Sequence, residues 1–327
     1  MVYNENEIQF HLQDDEMISL LKKYLLTAGL LISVFAGACS VQQVDEGVSP
    51  FKIVATTTIV GDIVSQVGGD FVDLEVLLPT GSDPHSFQPA PKDLVAVAEA
   101  DIVFANGAGL EEFLQPLIQN AGGSAQVVDV SEGISILESL DVHSGDETDN
   151  HLSGDPHTWF DPTNVELWTT HIEKALSAAD PDHASTYLAN AQAYREKLQE
   201  LDAWIEQQVA LIPPANRKLL ADHASLTYFA NRYGFEQVGA VIPAYSTLAE
   251  PSAQDLAAIE TAIRQLGVKT IFISESASQA LVERVAKDTG ARLVRLYNGS
   301  LSDADGPAAT YLDFMRYNVE ALVEALR

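Results

Sequence analysis

The order of apolar and polar residues along the chain predicts two stretches in which strands alternate with helices. The first begins at Phe51, where the run FKIVATTTIV is rich in β-branched residues, and it continues to about residue 179. The second begins near residue 218 with the run KLLADH and continues to the end of the chain. Short apolar runs separated by helical segments are typical of parallel sheets covered by helices. The pattern therefore predicts two α/β lobes.

A single long helical stripe lies between these two stretches. Apolar residues recur there every three or four positions, which is the period of one helix face. They are Leu188, Ala191, Tyr194, Leu198, Leu201, Ile205 and Val209. Pro181 suits a first helical turn, and Pro213 ends the pattern. A helix of about thirty residues is about 45 Å long, so we expect a rigid connection between two lobes.

The first fifty residues have a different pattern. Lys22 and Lys23 precede an apolar stretch, residues 24–38, that ends in small residues before Cys39. This order is typical of a secretory signal peptide, and the stretch is short for a membrane span. A cysteine directly after small residues resembles a bacterial lipobox, which predicts lipidation of Cys39; an ordinary secretory signal is the alternative. The polar residues before Met17 favour Met17 as the start of translation.

These patterns divide the chain into five segments. We expect a signal peptide at 1–38, a tether at 39–50, an N-terminal lobe at 51–180, a linker helix at 181–213 and a C-terminal lobe at 214–327. The 327 residues are enough for two lobes with sizeable cores.

The net charge of the chain restricts the kinds of partner that it can bind. The formal net charge is −29, which argues against nucleic acid, because nucleic-acid binding needs a basic face. An acidic surface attracts cations, although it also simply favours solubility. The segment 141–157 is acidic, poor in apolar residues and contains His143 and His151. It predicts a loop that is either only solvated or a weak collector of metal.

Three histidines come at or after predicted strands. His85 follows the apolar run 72–78, His157 ends the acidic loop, and His223 closes the run KLLADH. Ligands of open α/β sheets bind beyond the carboxyl ends of the strands, and imidazole is a common zinc ligand. An Asp-Pro pair precedes both His85 and His157, and the proline stiffens the backbone there. On the residues alone, a shared metal site and three unrelated histidines both stay open.

Several longer segments resemble one family. They are TTTIVGDIVSQVGGD, LLPTGSDPHSFQPAPKDL, ADIVFANGAGLEEFL, DPHTWFDP, HASLTYFANRYGF, EPSAQDL and FISESAS. Nearly the whole chain after Phe51 is thus similar to the metal-specific solute-binding proteins of ABC importers, which take up zinc or manganese. The resemblance implies two parallel-sheet α/β lobes joined by one long rigid helix, with the metal in the cleft between them. It also implies a binding protein that is not an enzyme.

The resemblance further implies the metal ligands. His85 and His157 match the first two ligands of the family. His223 matches the third, which is histidine in zinc-type members and often glutamate in manganese-type members. The fourth family ligand is commonly an aspartate, and Gly299 stands at that position here, so we expect a water molecule instead. The alternatives are Asp303, Asp305 and Asn298.

Glu275 ends the apolar run KTIFIS, and we expect it to point towards the cleft. Two roles are open for it, namely a direct metal ligand and an acceptor that orients a histidine. We expect Trp159 and Phe160 to shield the site or to pack beneath it. His171 and His183 lie in helical segments and are expected at the surface.

Three neutral nitrogen donors favour Zn²⁺, because Mn²⁺ prefers harder oxygen donors and more ligands. Manganese or iron is the alternative within the family. A zinc hydrolase is the alternative from another class, since three histidines and a water also form an open catalytic site. Against it, the chain has no H-E-x-x-H motif, which zinc proteases use. A secondary role as a surface adhesin is a third possibility.

The resemblance also implies location and partners. We expect a monomer that Cys39 anchors to the outer side of the cytoplasmic membrane, at the cell surface or in the periplasm. There it would pass its metal to an ABC permease.

Overall fold

Two four-stranded parallel sheets organise the protein in this computed structural model, which describes residues 51–138, 154–274 and 279–327. All of these residues belong to one unit, Pro50–Arg327. The predicted signal peptide, the predicted tether and Cys39 lie outside the described residues, as do His143, His151 and Glu275. Within the described ranges, no helix is both long enough and apolar enough to cross a membrane.

The N-terminal sheet has the strand order β2-β1-β3-β4. Its strands are β1 (Phe51–Ala55), β2 (Val72–Val76), β3 (Ile102–Ala105) and β4 (Gln126–Asp129). The helices of this lobe are α1 (Thr58–Gly68), α2 (Pro91–Glu99), α3 (Leu114–Ala121) and α4 (Pro162–Ala179). β3 is buried along its whole length and β1 over Ile53–Ala55, so both contain continuous apolar runs, as central parallel strands do.

The C-terminal sheet repeats this topology with the order β6-β5-β7-β8. Its strands are β5 (Lys218–His223), β6 (Glu236–Ile242), β7 (Thr270–Ile273) and β8 (Arg292–Arg295). Its helices are α6 (Thr227–Tyr233), α7 (Ala253–Leu266), α8 (Gln279–Thr289) and α9 (Tyr311–Leu326). In both sheets the chain reverses direction across the sheet between the first and third strands, which is where open α/β sheets bind ligands.

The linker helix α5 (Ala184–Val209) connects the lobes and packs on α1, α4 and α9. It has 26 residues, which gives a length of about 39 Å. It is shorter than the sequence predicts, because Pro181–His183 form a separate 3₁₀ turn before it. Ala, Gln, Glu and Leu predominate, and neither Gly nor Pro occurs inside it, so local propensity supports an unbroken helix.

The buried face of α5 differs from the predicted stripe at one position. Leu188 is 52% exposed, whereas Tyr187 is fully buried. Tyr187 lies four residues before Ala191 and continues the alternation of three- and four-residue steps, so it faces the core and Leu188 does not. The core of this face joins residues of both lobes into one cluster. Replacing Leu201 with Ala there should cost about 2–5 kcal/mol of unfolding free energy.

Side-chain caps fix the starts of two helices. The run FKIVATTTIV is rich in β-branched residues, but the strand ends at Ala55 and α1 begins at Thr58. Thr57 caps that helix by accepting a hydrogen bond from the N–H of Val60. The last helix begins at Tyr311, since Thr310 accepts from the N–H of Asp313. Side-chain caps of this kind fix helix starts.

Candidate metal site

The three predicted histidines lie together between the two lobes. His85 comes from the loop after β2, His157 precedes the 3₁₀ turn Thr158–Phe160, and His223 ends β5. The Nε2 atoms of His85 and His157 are 3.2 Å apart, and those of His157 and His223 are 3.4 Å apart. Zinc bound tetrahedrally at about 2.0–2.1 Å from each nitrogen would separate two nitrogens by about 3.3 Å. The spacing therefore matches three ligands of one ion.

Carboxylates fix the rings of two of these histidines. Asp155 Oδ1 lies 2.7 Å from His157 Nδ1, and Asp222 Oδ1 lies 3.1 Å from His223 Nδ1. A proton on each Nδ1 satisfies these contacts and leaves the Nε2 lone pair directed at the centre, as in metal-bound histidines. Asp222 is itself held, because it accepts hydrogen bonds from the backbone and the hydroxyl of Ser274.

The repeated Asp-Pro-His sequence forms the same local turn twice. The N–H of His85 donates to Asp83 Oδ1 at 3.0 Å, and the N–H of His157 donates to Asp155 Oδ1 at 2.9 Å. Aspartate side chains commonly close turns by accepting from a backbone group two residues later. The repeat therefore fixes the backbone on which each imidazole is mounted.

The three imidazoles differ in their affinity for protons. Burial lowers the pKa of His85 well below its ordinary value, and the neighbouring rings of His157 and His223 lower it further. Burial also lowers the pKa of His157, and Asp155 offsets only part of this effect. Burial acts on His223 in the same direction, but the charge and hydrogen bond of Asp222 outweigh it and raise the pKa. His223 is thus the member of the cluster that holds a proton most strongly.

The cavity at the cluster has room for about one small particle. It measures about 10 Å³ for a water-sized sphere, which is close to the minimum that admits a single water. Its lining consists of the three histidines with Ser82, Asp83, Pro84, Thr247, Asn298 and Gly299. Trp159 closes one side, because its ring packs against His157 and its Nε1–H donates to the carbonyl of Asn298 at 3.0 Å. Such a site encloses an ion rather than an organic substrate.

Hydrogen bonds between the lobes surround the cavity. The hydroxyl of Thr247, in the C-terminal lobe, donates to Asp83 Oδ2 in the N-terminal lobe. The N–H of Gly81 donates to Ser300 Oγ at 2.8 Å, and the N–H of Leu301 donates to Thr58 Oγ1 at 2.9 Å. These three hydrogen bonds join the two lobes around the cavity.

The candidates for a fourth ligand have different positions. Asn298 and Gly299 line the cavity, and the amide of Asn298 donates to Ser225 Oγ at 2.7 Å. Asp303 and Asp305 are exposed and do not line it. Among the described residues, no carboxylate joins the three histidines as a close ligand group.

The other histidines and aromatic residues lie where packing explains them. His171 contacts the carbonyl of Val130, and His183 contacts Asp180. Both side chains are partly exposed. Phe160 is buried and packs near α9.

Comparison with known proteins gives the family. The family model described as "ZnuA: Zinc-uptake complex component A periplasmic" matches residues 53–325. The chain belongs to this family. The ZnuA family comprises metal-binding, substrate-binding components of ABC importers, which are transport proteins and not enzymes, so the hydrolase hypothesis is dropped.

Individual relatives within this family cover nearly the whole chain. The chain is 31% identical to the manganese-binding lipoprotein MntA of Halalkalibacterium halodurans over 91% of its own length and 96% of the relative. It is 30% identical to the iron-binding protein YfeA of Yersinia pestis, over 94% and 99% of the two chains. The names of these relatives span two metals, so membership of the ZnuA family does not by itself decide the metal.

Solved structures share the architecture of two parallel-sheet lobes joined by a long helix. The Mn-bound periplasmic metal binding protein from candidatus liberibacter asiaticus aligns with a TM-score of 0.74 and 28% identity, over 84% of this chain and 99% of the other. The periplasmic zinc binding protein TroA from Treponema pallidum aligns with a TM-score of 0.74 and 27% identity, over 84% and 98%.

A buried carboxylate, Glu111, which the sequence does not predict as part of the site, is linked to the backbone beside His157 through Asn106. Glu111 accepts hydrogen bonds from Thr56 Oγ1 (2.6 Å) and from the N–H groups of Asn106 (2.7 Å) and Gly107 (3.0 Å). Burial raises the pKa of Glu111 to about 7, although these donors oppose the shift. The amide of Asn106 then donates to the carbonyl of Pro156 at 3.1 Å, next to His157. Thr56 and Asn106 directly follow the buried ends of β1 and β3, which is a sequence signal for these two partners but not for Glu111.

Proposed function

We propose that this ZnuA-family protein captures Zn²⁺ outside the cytoplasm and delivers it to a membrane permease. His85, His157 and His223 are the proposed ligands. The observation that carries the proposal is the convergence of three Nε2 atoms from two lobes, with separations that fit one tetrahedral ion. Water or another small oxygen donor completes the shell in the cavity that remains.

The donor set supports zinc rather than manganese. Three imidazoles give only nitrogen donors, and imidazole suits zinc, whereas carboxylate and water oxygens suit Mn²⁺. Among the described residues, the cluster contains no carboxylate ligand. Glu275 stays a candidate fourth ligand or orienting group, and a Glu275→Gln variant separates these roles by its effect on zinc affinity.

The anchor and the location belong to the same proposal. Relatives such as SsaB of Streptococcus sanguinis are named metal ABC transporter substrate-binding lipoproteins. This supports lipidation at Cys39 and attachment at the outer side of the cytoplasmic membrane. A tether over 39–50 and a monomeric state are further parts of the proposal. Cys39→Ala should release the protein from the membrane fraction, and a wild-type protein that is already released would contradict the anchor.

Metal titration of the purified protein tests the proposed function. One Zn²⁺ per chain should bind, and at a thousandfold excess over the dissociation constant it should stabilise the fold by about 4 kcal/mol. His223→Ala should lose most of this gain, while His171→Ala, a histidine outside the cluster, should keep it. Tighter binding of Mn²⁺ than of Zn²⁺, or full zinc binding by His223→Ala, would contradict the proposal.

A further inference from the structure

The peptide bond that leads into His157 is held at both of its polar atoms. Its N–H, which belongs to His157, donates to Asp155 Oδ1 at 2.9 Å. Its carbonyl, which belongs to Pro156, accepts from Asn106 Nδ2 at 3.1 Å. Because a peptide bond is planar, holding both atoms fixes the orientation of the whole group. The direction in which the imidazole of His157 leaves the backbone depends on that orientation.

The backbone at His157 forms a tight turn. Its φ is −81° and its ψ is 50°, and the N–H of Thr158 donates to the carbonyl of Pro156 at 2.9 Å. A hydrogen bond between residues two apart, with angles of this kind, is an inverse γ-turn. The carbonyl of Pro156 thus accepts one bond from within the turn and one from Asn106, which directly follows β3. Asn106 therefore ties the turn at His157 to the N-terminal sheet.

Glu111 fixes the backbone of Asn106, which is fully buried. Glu111 Oε1 accepts from the N–H of Asn106 at 2.7 Å, and Oε2 accepts from the N–H of Gly107 at 3.0 Å. Successive N–H groups that point to one centre bind anions, and here the anion is a side chain of the same chain. The carbonyl of Asn106 accepts from the N–H of Ser131 at 3.1 Å. The backbone of Asn106 is therefore held on both sides.

The loop between Asn106 and Glu111 depends on this carboxylate. Gly107, Ala108 and Gly109 have φ values of 76°, 53° and 84°. Within the described ranges, Ala108 is the only residue other than glycine that has a positive φ. This conformation is unfavourable for a residue with a Cβ atom and persists where surrounding contacts hold it. The two hydrogen bonds to Glu111 supply such contacts at the start of the loop.

We propose that Glu111 and Asn106 are positioning residues of the metal site, an inference that rests on the proposed function. Glu111 holds the backbone of Asn106, and the amide of Asn106 holds the peptide bond that leads into His157. Neither residue lines the cavity, so both act through His157. The carboxylate is required at position 111, because each of its oxygens accepts from one N–H group, whereas glutamine would turn an NH₂ group towards one of them.

The first experiment measures zinc affinity by competition with a chromophoric chelator for wild type, Asn106→Ala, Glu111→Gln and the double variant. Loss of a group that orients a ligand costs about 10- to 100-fold in metal affinity, so Asn106→Ala should bind zinc at least tenfold more weakly. Glu111→Gln should also weaken binding. Because Glu111 acts through the amide of Asn106, the double variant should bind zinc as Asn106→Ala does.

Two results of the first experiment overturn the inference. One is an affinity of Asn106→Ala within twofold of wild type. The other is a double variant whose loss is the product of the two single losses, which would mean that the residues act separately. Thermal unfolding checks that each variant is folded. If Glu111→Gln does not fold, Thr56→Val replaces it in the same comparison, because it removes one donor to the same carboxylate.

Asn164→Ala is the matched control. The amide of Asn164 also donates to a backbone carbonyl, that of Thr158 at 2.9 Å. This carbonyl lies just after His157 in the chain but belongs to neither of the peptide bonds of His157. Asn164→Ala should therefore leave zinc affinity nearly unchanged. A loss equal to that of Asn106→Ala would show that any support of this segment has the same effect, and it would overturn the inference.

The second experiment records the visible absorption of protein loaded with one equivalent of Co²⁺, which depends on the geometry of the ligands around the ion. Asn106→Ala and Glu111→Gln should shift these bands or change their intensity, whereas Asn164→Ala should reproduce the wild-type spectrum. A wild-type spectrum in Asn106→Ala would mean that the ligands have not moved, which overturns the inference. Failure of wild type to bind zinc overturns the proposed function itself, whereas zinc-binding wild type with unaffected Asn106→Ala removes only the positioning role.

Discussion

The two Asp-Pro-His segments have identical residues and the same turn, but their aspartates make different second contacts. Asp155 is buried and also contacts the ring of its own histidine, His157. Asp83 is partly exposed and instead accepts from Thr247 in the opposite lobe. The first aspartate orients a ligand, whereas the second ties the lobes together beside His85. The short Asp-Pro-His motif therefore specifies a local turn, and the residues around each turn determine the second contact of its aspartate.

The two aspartates should differ most in zinc affinity when each is replaced by asparagine. Asp155→Asn weakens the acceptor that orients His157, and loss of such support costs about 10- to 100-fold in metal affinity. Asp83→Asn keeps an oxygen for the turn and contacts no imidazole ring in the structure, so its loss should be smaller. Zinc titration of both variants measures this difference. Equal losses of zinc affinity would show that the two aspartates contribute equally to metal binding.

The contact between the lobes can be removed without changing Asp83. Thr247→Val keeps the shape of the side chain and removes the hydroxyl that donates to Asp83. A hydrogen bond of this kind contributes about 1 kcal/mol, or about fivefold in an equilibrium constant. We expect the effect mainly as faster zinc release, measured by stopped-flow transfer to a chelator, with Ser246→Ala as the neighbouring control. An unchanged release rate would show that the hydrogen bond between Thr247 and Asp83 does not slow zinc release.

The release of a proton on zinc binding should distinguish His223 from His85 and His157, the histidines of the two Asp-Pro-His segments. Zinc needs neutral imidazole, and the pKa of His85 and His157 is lowered, so they are already neutral near pH 6.5. The pKa of His223 is raised by Asp222. Below that pKa zinc must displace a proton, and above it zinc does not.

Calorimetry in two buffers of different ionisation enthalpy measures the released proton. Release should diminish as the pH rises through the pKa of His223. Asp222→Asn removes the charge that raises this pKa and should reduce release near neutral pH. Release that is independent of pH, or unaffected by Asp222→Asn, would disagree with the assignment of the proton to His223.

The smallest effect should be a change of shape on metal binding. Helix α5 has no glycine or proline and packs on helices of both lobes, so it offers no hinge for a large closure. Small-angle scattering curves of the metal-free and zinc-loaded protein should superimpose. A clearly more compact loaded form would mean that the lobes close as rigid bodies around another hinge.

The sequence predicts the order of strands and helices because buried parallel strands and long helices carry strong periodic signals. It also predicts that His85 follows a strand and that His223 ends one, whereas His157 lies in the segment before the 3₁₀ turn Thr158–Phe160. The sequence does not predict that Tyr187 is buried in place of Leu188. Steps of three and of four residues fit the same helical stripe, and only tertiary packing determines which residue faces the core.

Contacts between distant segments were beyond sequence reasoning. The ring of Pro84 meets Gly299 across the lobes, and no periodicity links positions so far apart. The sequence does indicate roles for Asp155 and Asp222, since these aspartates stand two residues before His157 and one residue before His223. It does not indicate the role of Glu111, because that role depends on the loop after β3 folding back onto a buried carboxylate.

X-ray absorption at the zinc edge tests the central claim most directly, namely that three histidines from two lobes hold one zinc ion. Protein loaded with one equivalent of Zn²⁺ should show three nitrogen ligands at about 2.0–2.1 Å and one further light donor. His223→Ala should lose one imidazole from this shell, and His171→Ala should lose none. A shell of oxygen donors only, or an unchanged imidazole count in His223→Ala, would contradict the site between the lobes.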